Sequence, residues 1–493
     1  MDFLDPKKKR SNRIKLLVGY ILVAIAISMG AFILLFATSG YSIDNGQVVQ
    51  KGLVFFDSRP GGSKIYVEGI YNKEKPDVQT TDTRMELKEG RYRASIQSEG
   101  YRDWNREFTV EGGQVVRMAY PFLFPKQLET QELKSYKTTP NLMSSTPDKQ
   151  TILVQQPDNP LRFDVYSAIE PERPPTTVDM PASLLNGSKK GQKLEVVEWA
   201  NDNVNVLLKH TVGDGYEFIL FNRQDPAKSF NVNEVANQNP YEVSLKDKKI
   251  EELFMHSSKD GLLQVYTVKS KSLTPLVGKV FAYHSHGDDM LMYVSPNPTD
   301  KELVSVYIQT KEETYKLRDL PQSSRYLLEG ARFDGNWYIA AGAASADKVY
   351  IYKNPVDVLA NDKPTTSIFA RTLLIKDPQY VSFSANTRNI AVQSGKTFAV
   401  YDAETDTQFK YVIDGKIATD RAAKWMDGHR LITAVNNKAY VFDFDGTNQN
   451  ELQALNPALG TLFDRDYDYA FSIQTNRQNK TASFQWTALT VSN

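Results

Sequence analysis

Two stretches of this chain can be laid over each other at a shift of 41 residues. They are "SANTRNIAVQSGKTFAVYDAETD" (384–406) and "WMDGHRLITAVNNKAYVFDFDGT" (425–447). Ile390 falls on Leu431, and Val400–Tyr401–Asp402 falls on Val441–Phe442–Asp443. Each unit runs from polar turn residues into one apolar strand, then a second, then an Asp-containing turn. Similar units occur at "STPDKQTILVQQ…LRFDVYS", "EWANDNVNVLLKH…YEFILFNRQ", "HSSKDGLLQVYTV", "HSHGDDMLMYVS…LVSVYIQ", "FDGNWYIAAGA…KVYIYKN" and "FDRDYDYAFSI…ASFQWTA". A period of roughly 44 residues built only of short strands predicts a β-propeller over residues 141–493, because one blade covers neither of its own faces and needs neighbours. The third and fourth units are only about 28 residues apart and could share a blade, so the count is seven or eight. Two separate sandwiches are the competing arrangement. With 26 Tyr and 24 Phe and frequent β-branched residues, composition also favours strands.

The N-terminus obeys a different rule. From Leu16 to Ala37, 22 residues carry no charge, about 33 Å of helix against a hydrocarbon core of about 30 Å. Lys7, Lys8, Lys9, Arg10, Arg13 and Lys15 precede the run, and the next basic residue is Lys51. This asymmetry predicts a signal anchor at 16–38, with the basic tail 1–15 in the cytoplasm and the rest extracytoplasmic. A cleaved signal peptide is the alternative, with a shorter apolar core. Residues 39–50 read as a tether.

Beyond the tether the period is two. In "RYRASIQS" Tyr92, Ala94 and Ile96 alternate with polar neighbours, the pattern of a half-buried strand. "LKEG", "QSEG" and "VEGG" punctuate the segment at intervals of about ten residues, which predicts a small antiparallel β-sandwich. Ser58, Pro60, Gly61, Tyr66, Gly69, Leu87, Gly90, Tyr92, Gly100 and Tyr101 resemble the motif order of a PEGA domain over 51–124. The sequence departs from it at Gly62–Ser63 and Lys75–Pro76. The resemblance implies an extracytoplasmic sandwich with a binding or spacer role and no catalytic residues. The repeat region in turn resembles WD40- and TolB-like propellers. Between the two, the polar stretch 125–140 reads as a linker.

Chemistry is sparsely provided for. The chain has no Cys and 5 His, and its 59 basic residues balance 59 acidic ones. Disulfides, thiol catalysis and Cys-bound zinc are excluded, and no global field favours nucleic acid. "YVFDFDGT" (440–447) is similar to the nucleophile motif of haloacid-dehalogenase phosphatases. Yet Asp443 is the repeat equivalent of Asp402, Asp445–Gly446 is a hairpin signal, and the 46 residues after Thr447 read as strands rather than a long α/β sheet. It is expected to be a turn. His284 and His286, followed by Asp288 and Asp289, could share a strand face as metal ligands, but they precede a blade strand where solvated polar residues are usual. Glu195 and Glu198 beside Trp199 are conceivable glycosidase carboxylates, and edge-strand charge is the commoner cause. The expectation is therefore a mainly β, membrane-anchored, non-enzymatic binding or scaffolding protein of the cell envelope. It needs no cofactor or metal and engages an envelope protein or a surface glycan. An envelope hydrolase with its site in the propeller mouth is the alternative.

Overall fold

The structure is a computed structural model that describes residues 6–44, 46–70, 77–186, 191–257, 259–287, 290–361, 369–418, 421–476, 478 and 481–491. The chain divides into two compact units, Met1–Gln127 and Leu128–Asn493.

The first unit opens with helix α1 (Pro6–Thr38). Its stretch Arg13–Thr38 has a mean hydropathy of 2.6 with none of it buried, so it is long and apolar enough to cross a membrane. Eight strands follow: β1 (Tyr41–Asp44), β2 (Gln47–Phe56), β3 (Lys64–Gly69), β4 (Asp77–Thr80), β5 (Thr83–Lys88), β6 (Gly90–Gln97), β7 (Trp104–Val110) and β8 (Val115–Met118). They form two sheets, β1–β2–β5 with β8 on β2, and β4–β3–β6–β7. The tether expected at 39–50 is thus largely strand, since Tyr41–Asp44 pairs back on Gln47–Gln50. The sandwich is antiparallel except where β8 runs parallel to β2.

Period-two patterning has its usual result here. Val54, Phe56, Ile65, Val67, Ala94, Ile96 and Trp104 are buried between the sheets, and their strand neighbours face outward. The motif residues serve the turns. Ser58 donates to the Pro60 carbonyl at 2.7 Å and its hydroxyl lies 2.8 Å from that of Thr81, and Tyr101 is buried.

The second unit is a ring of eight four-stranded antiparallel sheets. From innermost to outermost strand, blade 1 is Met143–Ser145, Thr151–Gln156, Asn159–Ser167 and Thr176–Asp179. Blade 2 is Lys193–Trp199, Asn205–Val212, Gly215–Asn222 and Phe230–Asn231. Blade 3 is Glu242–Leu245, Glu252–His256, Leu263–Thr267 and Ser272–Val277, and blade 4 is Ala282–His286, Met290–Pro296, Leu303–Gln309 and Thr314–Pro321. Blade 5 is Tyr326–Phe333, Asn336–Ala343, Lys348–Lys353 and Phe369–Leu374. Blade 6 is Tyr380–Phe383, Asn389–Ser394, Thr397–Asp402 and Thr407–Val412, and blade 7 is Lys424–Trp425, Arg430–Val435, Lys438–Asp443 and Asn450–Ala454.

Blade 8 is built from both ends of the unit. Thr461–Phe463, Tyr469–Thr475 and Ala482–Ala488 are completed by β9 (Thr130–Tyr136), which pairs with Ala482–Thr487. The linker expected at 125–140 therefore contributes the outermost strand of the last blade. The third and fourth repeat units lie in separate sheets, which makes the blade count eight.

Burial explains why the middle strands read as unbroken apolar runs. Both faces of each sheet are covered by the blades on either side. Leu153 and Phe163 of blade 1 pack with Val206 and Phe221 of blade 2. Met292 and Val306 of blade 4 pack with Ile339 and Ala341 of blade 5. Closure follows the same rule, with Ile152, Val154 and Tyr166 of blade 1 against Phe471, Ile473 and Phe484 of blade 8.

Candidate functional site

Because every blade meanders outward from its first strand, all eight first strands start at the same rim of the central channel. The blade-to-blade links and the second-to-third hairpins gather on that face, and the first-to-second turns gather on the other. Side chains of the first strands meet across blades. His284 Nε2 of blade 4 lies 2.9 Å from Glu329 Oε1 of blade 5. Glu198 of blade 2 accepts the Leu245 N–H of blade 3 and pairs with Lys248.

The turn face is bound into a belt. Thr387 of blade 6 donates to the Arg332 carbonyl of blade 5. Asn389 Nδ2 donates to the Gly428 carbonyl of blade 7 at 3.1 Å. Lys149 of blade 1 donates to the Met426 carbonyl at 3.1 Å and the Tyr467 hydroxyl at 2.7 Å, its ammonium 4.3 Å from the Tyr467 ring centre. Asp148 N–H donates to Asn203 at 3.0 Å, and Asn201 N–H to the Lys248 carbonyl at 2.8 Å. Polar groups there are spent on holding blades together.

The opposite rim is composed differently. Tyr241 and Phe281 immediately precede the first strands of blades 3 and 4, and Tyr326 and Tyr380 begin those of blades 5 and 6. Four consecutive blades thus each place one aromatic ring at the channel mouth. Tyr241 is 55% and Phe281 52% exposed, and the Phe281 and Tyr326 rings stack at 6.2 Å. The first strand of blade 7 begins at Lys424 and that of blade 8 at Thr461.

Two clefts open on this same face. One, of about 330 Å³, lies where Tyr380, Arg421, Lys424, Ala434, Leu459 and Thr461 converge. Lost solvation, followed by the charge of Arg421, holds the Lys424 ammonium below the usual lysine range. The other, of about 470 Å³, lies on blade 2 among Asn186, His210, Tyr216, Glu217, Asn233 and Asn239. At its base, His210 Nδ1 is 2.8 Å from Glu217 Oε1, which also accepts the Asn186 N–H at 2.8 Å. Glu217 Oε2 accepts from Asn231 Nδ2 at 2.6 Å.

The residues singled out from the sequence fall elsewhere. Asp443 ends the third strand of blade 7, is 1% exposed, and accepts from Asn448 Nδ2 at 2.8 Å. Its carbonyl accepts the Gly446 N–H at 2.8 Å, closing the Asp-Gly turn. Gly446 has φ +83°, and a Cβ there would stand 2.5 Å from the Tyr411 ring, so the turn requires glycine. A carboxylate this enclosed is not presented to a ligand. His284 is taken up by Glu329, and the His286 ring packs edge-on to Trp337 at 4.9 Å. Asp288 and Asp289 lie outside the described residues. Among the described residues, no group of three or more His, Asp or Glu side chains is placed to share a metal ion. Glu195 pairs with Lys193 at 2.6 Å, and the Trp199 indole donates to Ser144 at 2.9 Å. None of these was the aromatic arc, which the sequence reading missed.

No curated protein matches this chain. Among solved structures, a chain of the mitotic checkpoint complex is 9% identical with a TM-score of 0.35, covering 74% of this chain and 94% of that one. A functionally unknown protein from Desulfotomaculum acetoxidans is 12% identical at 0.37, covering 62% and 96%. Hsv2p of Kluyveromyces lactis is 11% identical at 0.35, covering 60% and 97%. The blade assignment rests on the sheet order alone. Within the first unit, residues 51–123 match the family described as the PEGA domain.

Proposed function

We propose that this is a single-pass protein of the cytoplasmic membrane whose β units lie outside the cell interior and whose propeller binds another envelope protein or a surface glycan without catalysis. The anchoring part rests on α1 and on the cationic residues confined to its N-terminal side. The binding part is carried by one observation, the four aromatic rings at the mouth of consecutive blades. Tyr241 and Phe281 are exposed and Tyr326 and Tyr380 half-buried; aromatic rings on a rigid platform supply contact area at small entropic cost, and they are enriched where proteins recognise partners.

Photo-crosslinking from position 326 in native membranes, followed by identification of the captured molecule, tests the reading. Capture that falls at least about tenfold in Phe281→Ala supports it. Undiminished capture would show that the mouth is not the binding surface. Protease added to intact spheroplasts should degrade the chain beyond residue 40, and full protection would refute the topology.

The hydrolase alternative draws on Glu242, in the first strand of blade 3. Burial raises its carboxyl above the usual range, against the pull of His256 and Lys209. Half of its side chain (51%) stays exposed, so water screens part of that effect. The second carboxylate acting on it, Glu198, is engaged by Leu245 and Lys248. Hydrolysis of a chromogenic glycoside or peptide that vanished in Glu242→Gln would favour this alternative.

A further inference from the structure

The cleft between blades 6, 7 and 8 differs in chemistry from the rest of the rim. Its cations are Arg421 and Lys424, and neither forms an ion pair among the described residues. Among the described residues, no Asp or Glu lines it. Thr461 is only 8% exposed, lines the same cleft, and its hydroxyl has no hydrogen-bond partner among the described residues. A buried hydroxyl in that state is destabilising unless something pairs with it. The remaining wall is apolar, from Ala418, Ala422, Ile432, Ala434, Leu455 and Leu459.

We infer that this cleft receives the C-terminal residue of a partner polypeptide. The terminal carboxylate is held by Arg421, Lys424 and the Thr461 hydroxyl, and an apolar final side chain lies on the alanine and leucine wall. This inference rests on the binding role proposed above and supplies the chemistry of the partner. Two cations with no counter-charge among the described residues call for an anion, and Arg and Lys both donate strongly to carboxylates. The apolar wall selects among anions. Inorganic phosphate makes no use of it. A sugar acid would bring several hydroxyls to a surface whose polar side chains, the two cations apart, are Tyr380, Thr433 and Thr461. A terminal residue delivers carboxylate and apolar side chain from one Cα, and the volume of about 330 Å³ lies at the small end of ligand sites. Capture of a chain terminus by a preformed cluster of donors is an established recognition mode.

The test uses the full chain in detergent micelles and a fluorescein-labelled pentapeptide ending in Val-Leu with a free carboxylate, read by fluorescence anisotropy. The acid should bind, and its C-terminal amide should bind at least about tenfold more weakly. Lys424→Gln and Arg421→Gln should each cost about tenfold, and Thr461→Val about threefold or more with no loss of thermal stability. Arg162→Gln, on the third strand of blade 1, is the charge control and should change nothing. Equal binding of acid and amide, or full affinity in Lys424→Gln with its fold intact by circular dichroism, would overturn the inference. So would displacement by phosphate or glucuronate at lower concentration than by unlabelled peptide. Partner capture in membranes that depends on Phe281 but not on Lys424 would sink this inference alone. Peptide binding without any captured partner would sink the wider reading alone.

Discussion

The indole N–H of Trp425 donates to the hydroxyl of Ser382 at 3.0 Å, joining the first strand of blade 7 to that of blade 6. Trp199 of blade 2 does the same to Ser144 of blade 1 at 2.9 Å. The two pairs are equivalent seams in the channel wall. Ser382→Ala leaves a partly buried indole N–H without its partner and should lower unfolding free energy by about 1–3 kcal/mol. Ser144→Ala should cost a similar amount, and the two losses should add because the sites share no partner. Urea denaturation of the single and double variants checks this. A loss within experimental error in both would show the seams to be incidental.

Arg388 forks onto Asp402, with Nε and one terminal nitrogen at 2.8 and 2.6 Å from the two carboxylate oxygens. Asp402 is 1% exposed. Burial would raise its carboxyl, but Arg388 outweighs that and holds it below the usual range. Arg388→Ala strands a buried charge and should cost about 3–5 kcal/mol. Arg388→Ala combined with Asp402→Asn should recover part of the loss, as measured by thermal melting.

The last blade closes the ring with strands from both ends of the unit. Removing residues 462–493 should unfold the propeller as a whole, because it exposes apolar faces of blades 1 and 7 together. Deleting 130–136 should be milder yet measurable, since it strips one outer strand from blade 8. Hydrogen exchange distinguishes the outcomes. Protection in blades 3–5 that survived the first deletion would contradict the closed-ring account.

His429, in the first turn of blade 7, is pushed down to about 4 from an ordinary 6.5, chiefly by burial and then by Arg430; Arg388 acts in the same direction, and Asp427 and Asp402 oppose it. The unfolded chain therefore takes up a proton near pH 6.5 that the folded ring refuses until about pH 4. Stability is full above pH 6.5 and declines across that window by up to about 3 kcal/mol. Asp427 and Asp402, both held below their ordinary values, add their losses only at lower pH. In His429→Gln the decline between pH 6.5 and 4 should flatten while the steeper acid limb remains.

How much of this was legible depended on how local the signal was. Each of the eight repeats was visible because its central strands are covered on both faces and so spell continuous apolar runs. Unit 256–268 looked too close to its successor because it begins at the last residue of strand two of blade 3 and holds strand three, while 284–309 starts in the first strand of blade 4. The outer strand "TQELKSY" was misread as linker. It has wet, charged positions at Glu132 and Lys134, and its hydrogen-bond partners lie about 350 residues away, at Gln485 and Phe484. The aromatic arc was illegible for a related reason. Tyr241, Phe281, Tyr326 and Tyr380 belong to four different repeats, and only the register of first strands brings them to one rim. A faint cue existed in "NPYE" and "DPQY", where a proline-marked turn delivers an aromatic into a strand.

The seven residues of β9 also set the mechanical character of the molecule. Any pull arriving along the backbone from residue 128 meets the ring first at this strand. Its grip is the ladder to Ala482–Thr487, reinforced by Thr130 against Thr487 at 2.9 Å and Ser483 donating to Glu132 at 2.5 Å. Should that ladder shear, the force peels blade 8 before it touches any other, and the fold opens at its own seam like a clasp.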